Sequence, residues 1–328
     1  MLGHVVREPT FLVGAEQSGT TLLRLMLDSH PEIAFAEEFD YAVDAIGDDG
    51  TVPSIEQFRA RLALDRAFAT SGFTLDPGLD YVELVNGFLS SRQEKKRAAV
   101  VGATIHHGFS KALRLWPEAR FIHLVRDPRD VAPARMAEGL AGNPWFAVEH
   151  WIRAEDEWAE LETRVPAERR LVVYFDDLVR DHDSALTTVC RFLGVDYTAQ
   201  MLDYSRDTDY RAPNPNLAGD WRDTLTARNV RLIETRVGER LVRAGFAPSG
   251  LEPIRVTGPQ ETWLRWHDRA GRISGRVQFF GLRLTAVELA ARLLRLEPLQ
   301  RSVRLRFNEV ERDLLKKSWS DAKYRTSR

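Results

Sequence analysis

The chain has 328 residues, a formal net charge of −2 and one cysteine, Cys190. A lone cysteine excludes an intrachain disulfide framework and fits a reducing, cytoplasmic compartment. No run of about 18 apolar residues is present, so no transmembrane segment is expected, and the residues after Met1 lack a signal-peptide layout.

Taken in order, residues 11–13 are apolar and read as a short buried strand ending at Gly14. The loop 15–19 is small and polar. From Thr20, Leu22, Leu25 and Met26 recur at helical spacing, and Leu23 and Leu27 widen the face. Strand, tight loop and helix in succession make a cradle in which backbone N–H groups and a helix N-terminus receive a phosphate. Gly14 and Gly19 have the spacing of a Walker loop and Thr21 supplies its hydroxyl, but Thr20 stands where the lysine belongs. A β- or γ-phosphate would lack its usual cation, which argues against nucleotide hydrolysis and against a kinase.

Residues 33–36 read as a second strand, ending at Glu37-Glu38. Ranges 54–70 and 78–92 read as helices. Residues 98–105 form a third predicted strand, followed by His106-His107-Gly108 and a short helix over 109–115. Residues 120–125 are a fourth, ending in Arg126-Asp-Pro-Arg-Asp130, with a helix over 129–141. In the next helix, 145–163, Trp151 and Trp158 share a face. They read as core rather than a base-stacking surface, so no nucleic-acid partner is expected. A fifth strand spans 170–174, and helices span 183–193 and 226–244, separated by the Pro- and Asn-rich stretch 205–221. Strands alternating with helices imply a parallel sheet covered on both faces.

Residues 247–262 are rich in Pro and Gly and read as a linker. Beyond it the chain changes character. Residues 251–328 hold 17 Lys and Arg against 9 Asp and Glu, a net +8, while residues 1–250 hold 29 against 39, a net −10. Val303, Phe307, Val310 and Leu314 share one helical face, which suits packing on the same chain or self-association into a homo-oligomer, with a membrane surface as the alternative. Domain boundaries are therefore expected at 1–248 and 249–328.

Arg126 supplies a second anion signal. It ends a strand at the edge where open α/β sheets bind ligands. Arg126 and Arg129 could each clamp a phosphate, or pair with Asp127 or Asp130. Two separated anion sites suit a ligand with two phosphate groups.

At these residues the chain resembles the sulfotransferases that use 3′-phosphoadenosine 5′-phosphosulfate (PAPS). The matching segments are Val13-Gly-Ala-Glu-Gln-Ser-Gly-Thr-Thr-Leu-Leu, Phe121-Ile-His-Leu-Val-Arg-Asp-Pro-Arg-Asp-Val, Tyr174-Phe-Asp-Asp-Leu and Gly219-Asp-Trp221-Arg. They span roughly three-quarters of the chain. His30-Pro-Glu-Ile-Ala-Phe-Ala-Glu-Glu is most similar to the tyrosylprotein and related bacterial branch. The resemblance implies a three-layer α/β fold of the P-loop NTPase type with a central parallel sheet, here with a helical C-terminal extension. It implies that Gln17, Ser18, Gly19, Thr20 and Thr21 hold the 5′-phosphosulfate and that Arg126 holds the 3′-phosphate. Tyr174 and the stretch from Ser205 to Asn214 would border the adenosine, with Trp221 closing the region. Glu38 would be the catalytic base. No metal is expected.

The departures from that family are specific. Gln17 replaces a cation that contacts the donor's bridging oxygen, Ala103 a lysine, Ala134 a serine that reaches the 3′-phosphate, and Val173 an arginine. His106 or His107 could restore the missing positive charge at the end of the third strand. The expected activity is sulfuryl transfer to a hydroxyl or amine of a small-molecule, carbohydrate or peptide acceptor. The alternative is a protein of the same fold that binds nucleotide without turnover.

Overall fold

The computed structural model describes residues 5–208, 210 and 212–310. Its centre is a five-stranded sheet ordered β2-β3-β1-β4-β5, with β1 Thr10–Val13, β2 Ile33–Glu38, β3 Val100–Ile105, β4 Arg120–Val125 and β5 Arg170–Tyr174. All pairings are parallel. The middle strand β1 is buried at every residue, which is why its sequence is apolar without alternation. Phe11 and Val13 face one core and Leu12 faces the other.

Helices cover both faces, giving the expected three layers. Helix α1, Thr20–Ser29, and the His182–Leu193 helix bury Leu23, Met26, Leu186, Val189 and Cys190 against Leu12. Burial pushes the Cys190 thiol up to about 11, so it behaves as a small hydrophobe. On the other face, Phe88, Trp151, Trp158 and Ile233 pack with Phe11. Trp151 and Trp158 are thus core residues, and Trp151 Nε1 also donates to the Arg126 carbonyl at 2.9 Å.

Several predicted elements divide. The helix expected over 54–70 is two, Ile55–Leu62 and Arg66–Ser71, because the Asp65 carboxylate accepts from Phe68 N at 2.9 Å and starts a new helix there. The 226–244 helix stops at Gly238 and resumes as Arg240–Arg243. The linker ends at Thr257, five residues early: Gly258–Phe280 is helical, with Pro259 in its first turn, where a missing N–H costs nothing.

The C-terminal segment is helical through Gly258–Phe280 and Leu282–Leu293 and again over 297–310. Asn143 Nδ2 donates to the Leu264 carbonyl at 2.7 Å, and Gly142 N donates to Asp268 Oδ1 at 2.8 Å. Glycines set this contact: a Cβ on Gly271 would lie 2.4 Å from the Gly142 Cα, and one on Gly275 would lie 2.6 Å from the Gly139 Cα. Val303 is buried and Phe307 packs 4.3 Å from Phe280, centroid to centroid. Leu314 lies outside the described residues. No described helix is long and apolar enough to cross a membrane.

Candidate active site

The carboxyl ends of the five strands converge. Gly14 follows β1, Glu38 ends β2, His106 follows β3, Arg126 follows β4 and Phe175 follows β5. This is the edge at which open parallel sheets bind ligands.

The loop between β1 and α1 is shaped by backbone conformations unusual for side-chain-bearing residues. Gln17 is left-handed at φ 68° and Gly19 at φ 93°. Gly19 is also the N-cap of α1, and no side chain caps that end. A Cβ on Gly19 would lie 2.4 Å from the Phe175 ring, so only glycine lets the loop close over Phe175. Ser18 and Thr20 are buried and Thr21 is half-buried. The helix start therefore presents uncapped N–H groups, the arrangement that receives an anion.

Arg126 ties the loop to the rest of the edge. Its Nη1 donates to the Gln17 carbonyl at 3.0 Å and its Nη2 to the Leu217 carbonyl at 3.2 Å, with the guanidinium 4.3 Å above the Phe175 ring centre. Its Nε is buried with no partner. Asp130 accepts from Gly219 N at 2.9 Å and Trp221 N at 2.7 Å, which pins the segment that covers Arg126. Burial pushes the Asp130 carboxyl up to about 6.

Arg129 belongs to the frame instead. It is buried, pairs with Asp127 and with Glu234 at 2.6 Å each, and lies 3.9 Å from the Trp221 ring centre. The reading of Arg129 as a second phosphate clamp is replaced by the paired one. Its partner Glu234 is 105 residues away, which local pattern does not reveal.

The histidines differ in role. His106 Nε2 lies 3.2 Å from Thr20 Oγ1, and its Nδ1 lies 3.0 Å from Asp40 Oδ2. Asp40 Oδ1 also accepts from the His106 backbone N at 2.7 Å. Burial alone would lower the His106 pKa. The Asp40 hydrogen bond and charge, with Glu38 and Glu16, raise it above its usual value. The mirror effect lowers Asp40 against its own burial. His107 points aside to Asp44, 2.9 Å away, and that bond lifts it to about 9.

The remaining residues fall in three places. Gln17 Nε2 donates to Glu138 Oε2 at 2.8 Å, while neighbouring Glu16 pairs with Arg135. Glu38 is 47% exposed and pairs with Arg66 at 3.1 Å. Ala103 is fully buried beside Phe11, and Ala134 is half-buried in the Pro128–Ala137 helix. Tyr174 turns from the loop: its ring meets Phe246 edge-on at 6.1 Å, and the next residue, Phe175, is the one under Gly19. Asn214 is exposed and caps the turn carrying Leu217, accepting from Asn216 N at 3.0 Å. Ser205 is exposed with its hydroxyl on the Leu202 carbonyl. Asp209 and Arg211, inside that stretch, lie outside the described residues.

Sequence reasoning missed Asp40, Glu138, Arg135 and Phe175. Asp40 had a signal, a carboxylate two residues past the end of β2 on the ligand-binding edge. No group of three or more His, Cys, Asp or Glu among the described residues is placed to hold a metal.

The profile of a family described as "Sulfotransferase family" matches residues 9–199. Protein-tyrosine sulfotransferase 2 of Gallus gallus is 23% identical over 214 residues, 58% of this chain and 52% of that protein. Protein-tyrosine sulfotransferase 1 of Danio rerio is 24% identical over 216 residues, 58% and 54% respectively. The chain thus spans about half the length of the curated relatives it matches. Two solved structures share the fold at a TM-score of 0.53. The sulfotransferase domain of the Synechococcus PCC 7002 olefin synthase is 23% identical, with 71% of this chain and 96% of that one covered. The sulfotransferase domain from the curacin biosynthetic pathway is 15% identical, with 74% and 99% covered.

Proposed function

The chain belongs to the sulfotransferase family, and on that footing we propose that it moves a sulfuryl group from PAPS to a hydroxyl or amine of a small-molecule, carbohydrate or peptide acceptor. The observation that carries this reading is His106, held by Asp40 with its Nε2 on Thr20 of the loop. With its pKa raised, His106 is the cation that Gln17 and Ala103 do not supply.

The residues suit the donor's two anionic ends. The uncapped start of α1, residues 18–21, receives the 5′-phosphosulfate, and Arg126 reaches the 3′-phosphate. As the acceptor oxygen or nitrogen bonds to sulfur and the sulfur–bridging-oxygen bond breaks, Glu38 takes the acceptor's proton. Loop amides and His106 stabilise the charge left on the phosphate. Phenolic peptides head the acceptor panel, because the curated relatives are protein-tyrosine sulfotransferases. The single cysteine supports a reducing, cytoplasmic setting.

One observation favours a second reading, binding without turnover: Gln17 is already committed to Glu138. Transfer of labelled sulfate from PAPS to the panel separates the two. A thermal scan tests the nucleotide itself. Adenosine 3′,5′-bisphosphate should raise the midpoint, since a ligand of the native state alone stabilises it, and ATP with magnesium should do so less. The reverse preference would overturn the donor assignment.

A further inference from the structure

We propose that the outward face of the Gly258–Phe280 helix docks on an anionic membrane surface. The helix has two unlike sides. Leu264, Asp268 and Gly275 are buried on the chain's own body, with Gly271 against Gly142. On the opposite side Trp263, Trp266, Ala270, Ile273 and Val277 recur at spacings of three and four residues, one stripe of a helix. Trp263 is 57% exposed, Trp266 64% and Ile273 40%. Two neighbouring tryptophans held this far into solvent are not a core in waiting. Residues 297–310 pack beyond them, at Phe280, and leave them uncovered.

Charge selects the occupant. Arg269 and Arg283 are exposed along and beyond the stripe, while Arg265, Arg272 and Arg276 beside it pair with Glu261, Asp268 and Glu288. From Thr262 to Val287 the only carboxylate is Asp268, and it is buried. A second copy of the helix would bring His267, Arg269, Ser274 and Arg276 to the flanks of a shared seam, where it offers Arg269 no carboxylate and Arg276 is already held by Glu288. Residues 311–328 carry six Lys and Arg against three Asp and Glu, so that tail is not a charge complement either. Anionic headgroups match the arginines, while tryptophan and isoleucine enter the boundary between headgroups and acyl chains. The helix is too polar to cross a bilayer, so it lies on the surface.

The test is co-sedimentation of the full chain with vesicles of phosphatidylcholine, with and without phosphatidylglycerol. Binding is expected only with phosphatidylglycerol and should fall as salt rises. Trp263→Ser with Trp266→Ser should abolish it at an unchanged thermal midpoint. Arg269→Glu with Arg283→Glu should weaken it by about fivefold or more per residue. Brominated phosphatidylcholine mixed with phosphatidylglycerol should quench the wild-type tryptophan fluorescence, a readout that needs no variant to fold. Absence of binding to both vesicle types, binding indifferent to phosphatidylglycerol, or absence of quenching would overturn the proposal. So would a dimer that the tryptophan pair of substitutions dissociates in a chain that ignores vesicles.

Discussion

The Arg126 guanidinium donates to the Gln17 carbonyl at 3.0 Å across 109 residues of chain. One side chain thus couples the two segments read as the donor's phosphate sites. Arg126→Ala should weaken adenosine 3′,5′-bisphosphate by roughly 10- to 100-fold, the cost of about 1.5–3 kcal/mol for a lost hydrogen bond to a charged group. Adenosine 5′-phosphate should lose less, since it retains only the loop contribution. Equal losses in calorimetry would mean that Arg126 braces the loop without reaching the 3′-phosphate.

Glu38 stands at the end of β2, in reach of solvent and held by Arg66. Glu38→Gln keeps the shape and removes the base. Turnover should drop by about 10²–10⁴-fold with the affinity for adenosine 3′,5′-bisphosphate nearly unchanged. Wild-type turnover in this variant would remove Glu38 from the chemistry.

In the proposed mechanism Asp40 acts through His106, to which it is hydrogen-bonded at 3.0 Å. Its hydrogen bond and charge hold the imidazole pKa up, so loss of the proton should set the alkaline limb of turnover. Asp40→Asn should move that limb to lower pH, because the neutral amide favours the imidazolium less. A limb that stays in place would uncouple His106 from the rate.

His107 links pH to stability. Its pKa rises from 6.5 to about 9 on folding, chiefly through Asp44. A raised pKa means that the folded chain holds the proton more tightly. The stabilisation is therefore complete below 6.5 and lost as pH climbs through about 9. The side chain is 45% exposed, so solvent screens the pair and the effect is small. Denaturant titrations of wild type across this window should show a decline that His107→Gln lacks. Parallel curves would contradict it.

The fold was legible because burial leaves a direct mark. The apolar run 11–13, the Gly14 and Gly19 punctuation and the periodic leucines of α1 each reflect a local requirement. The strand ends at Glu38, His106 and Arg126 were legible for the same reason. Partnerships across the chain were not. The sequence leaves Arg129 open between clamping a phosphate and pairing with Asp127 or Asp130, and nothing local points to Glu234, which with Asp127 buries it. Tyr174 and Phe175 are adjacent aromatics, and it is the turn from β5 into the Phe175–Arg180 helix that puts Phe175 under Gly19. Asp65 looked like one more residue of a helix until its carboxylate capped the next. The Gly258-Pro259 pair read as linker, although proline in a first turn starts helices as readily as it breaks them.

In the proposed mechanism His106 is the cation of an active enzyme. The most direct measurement is the rate of labelled sulfuryl transfer from PAPS by wild type, His106→Ala and Gln17→Arg, with adenosine 3′,5′-bisphosphate affinity measured alongside. Wild type should transfer, His106→Ala should be slower by on the order of 10²–10³-fold, and the affinity should change far less than the rate. Gln17→Arg should bind the nucleotide at least as well, since it adds a cation beside an anion. A wild type that binds nucleotide and transfers nothing while Gln17→Arg transfers would contradict the account, as would an active wild type indifferent to the loss of His106.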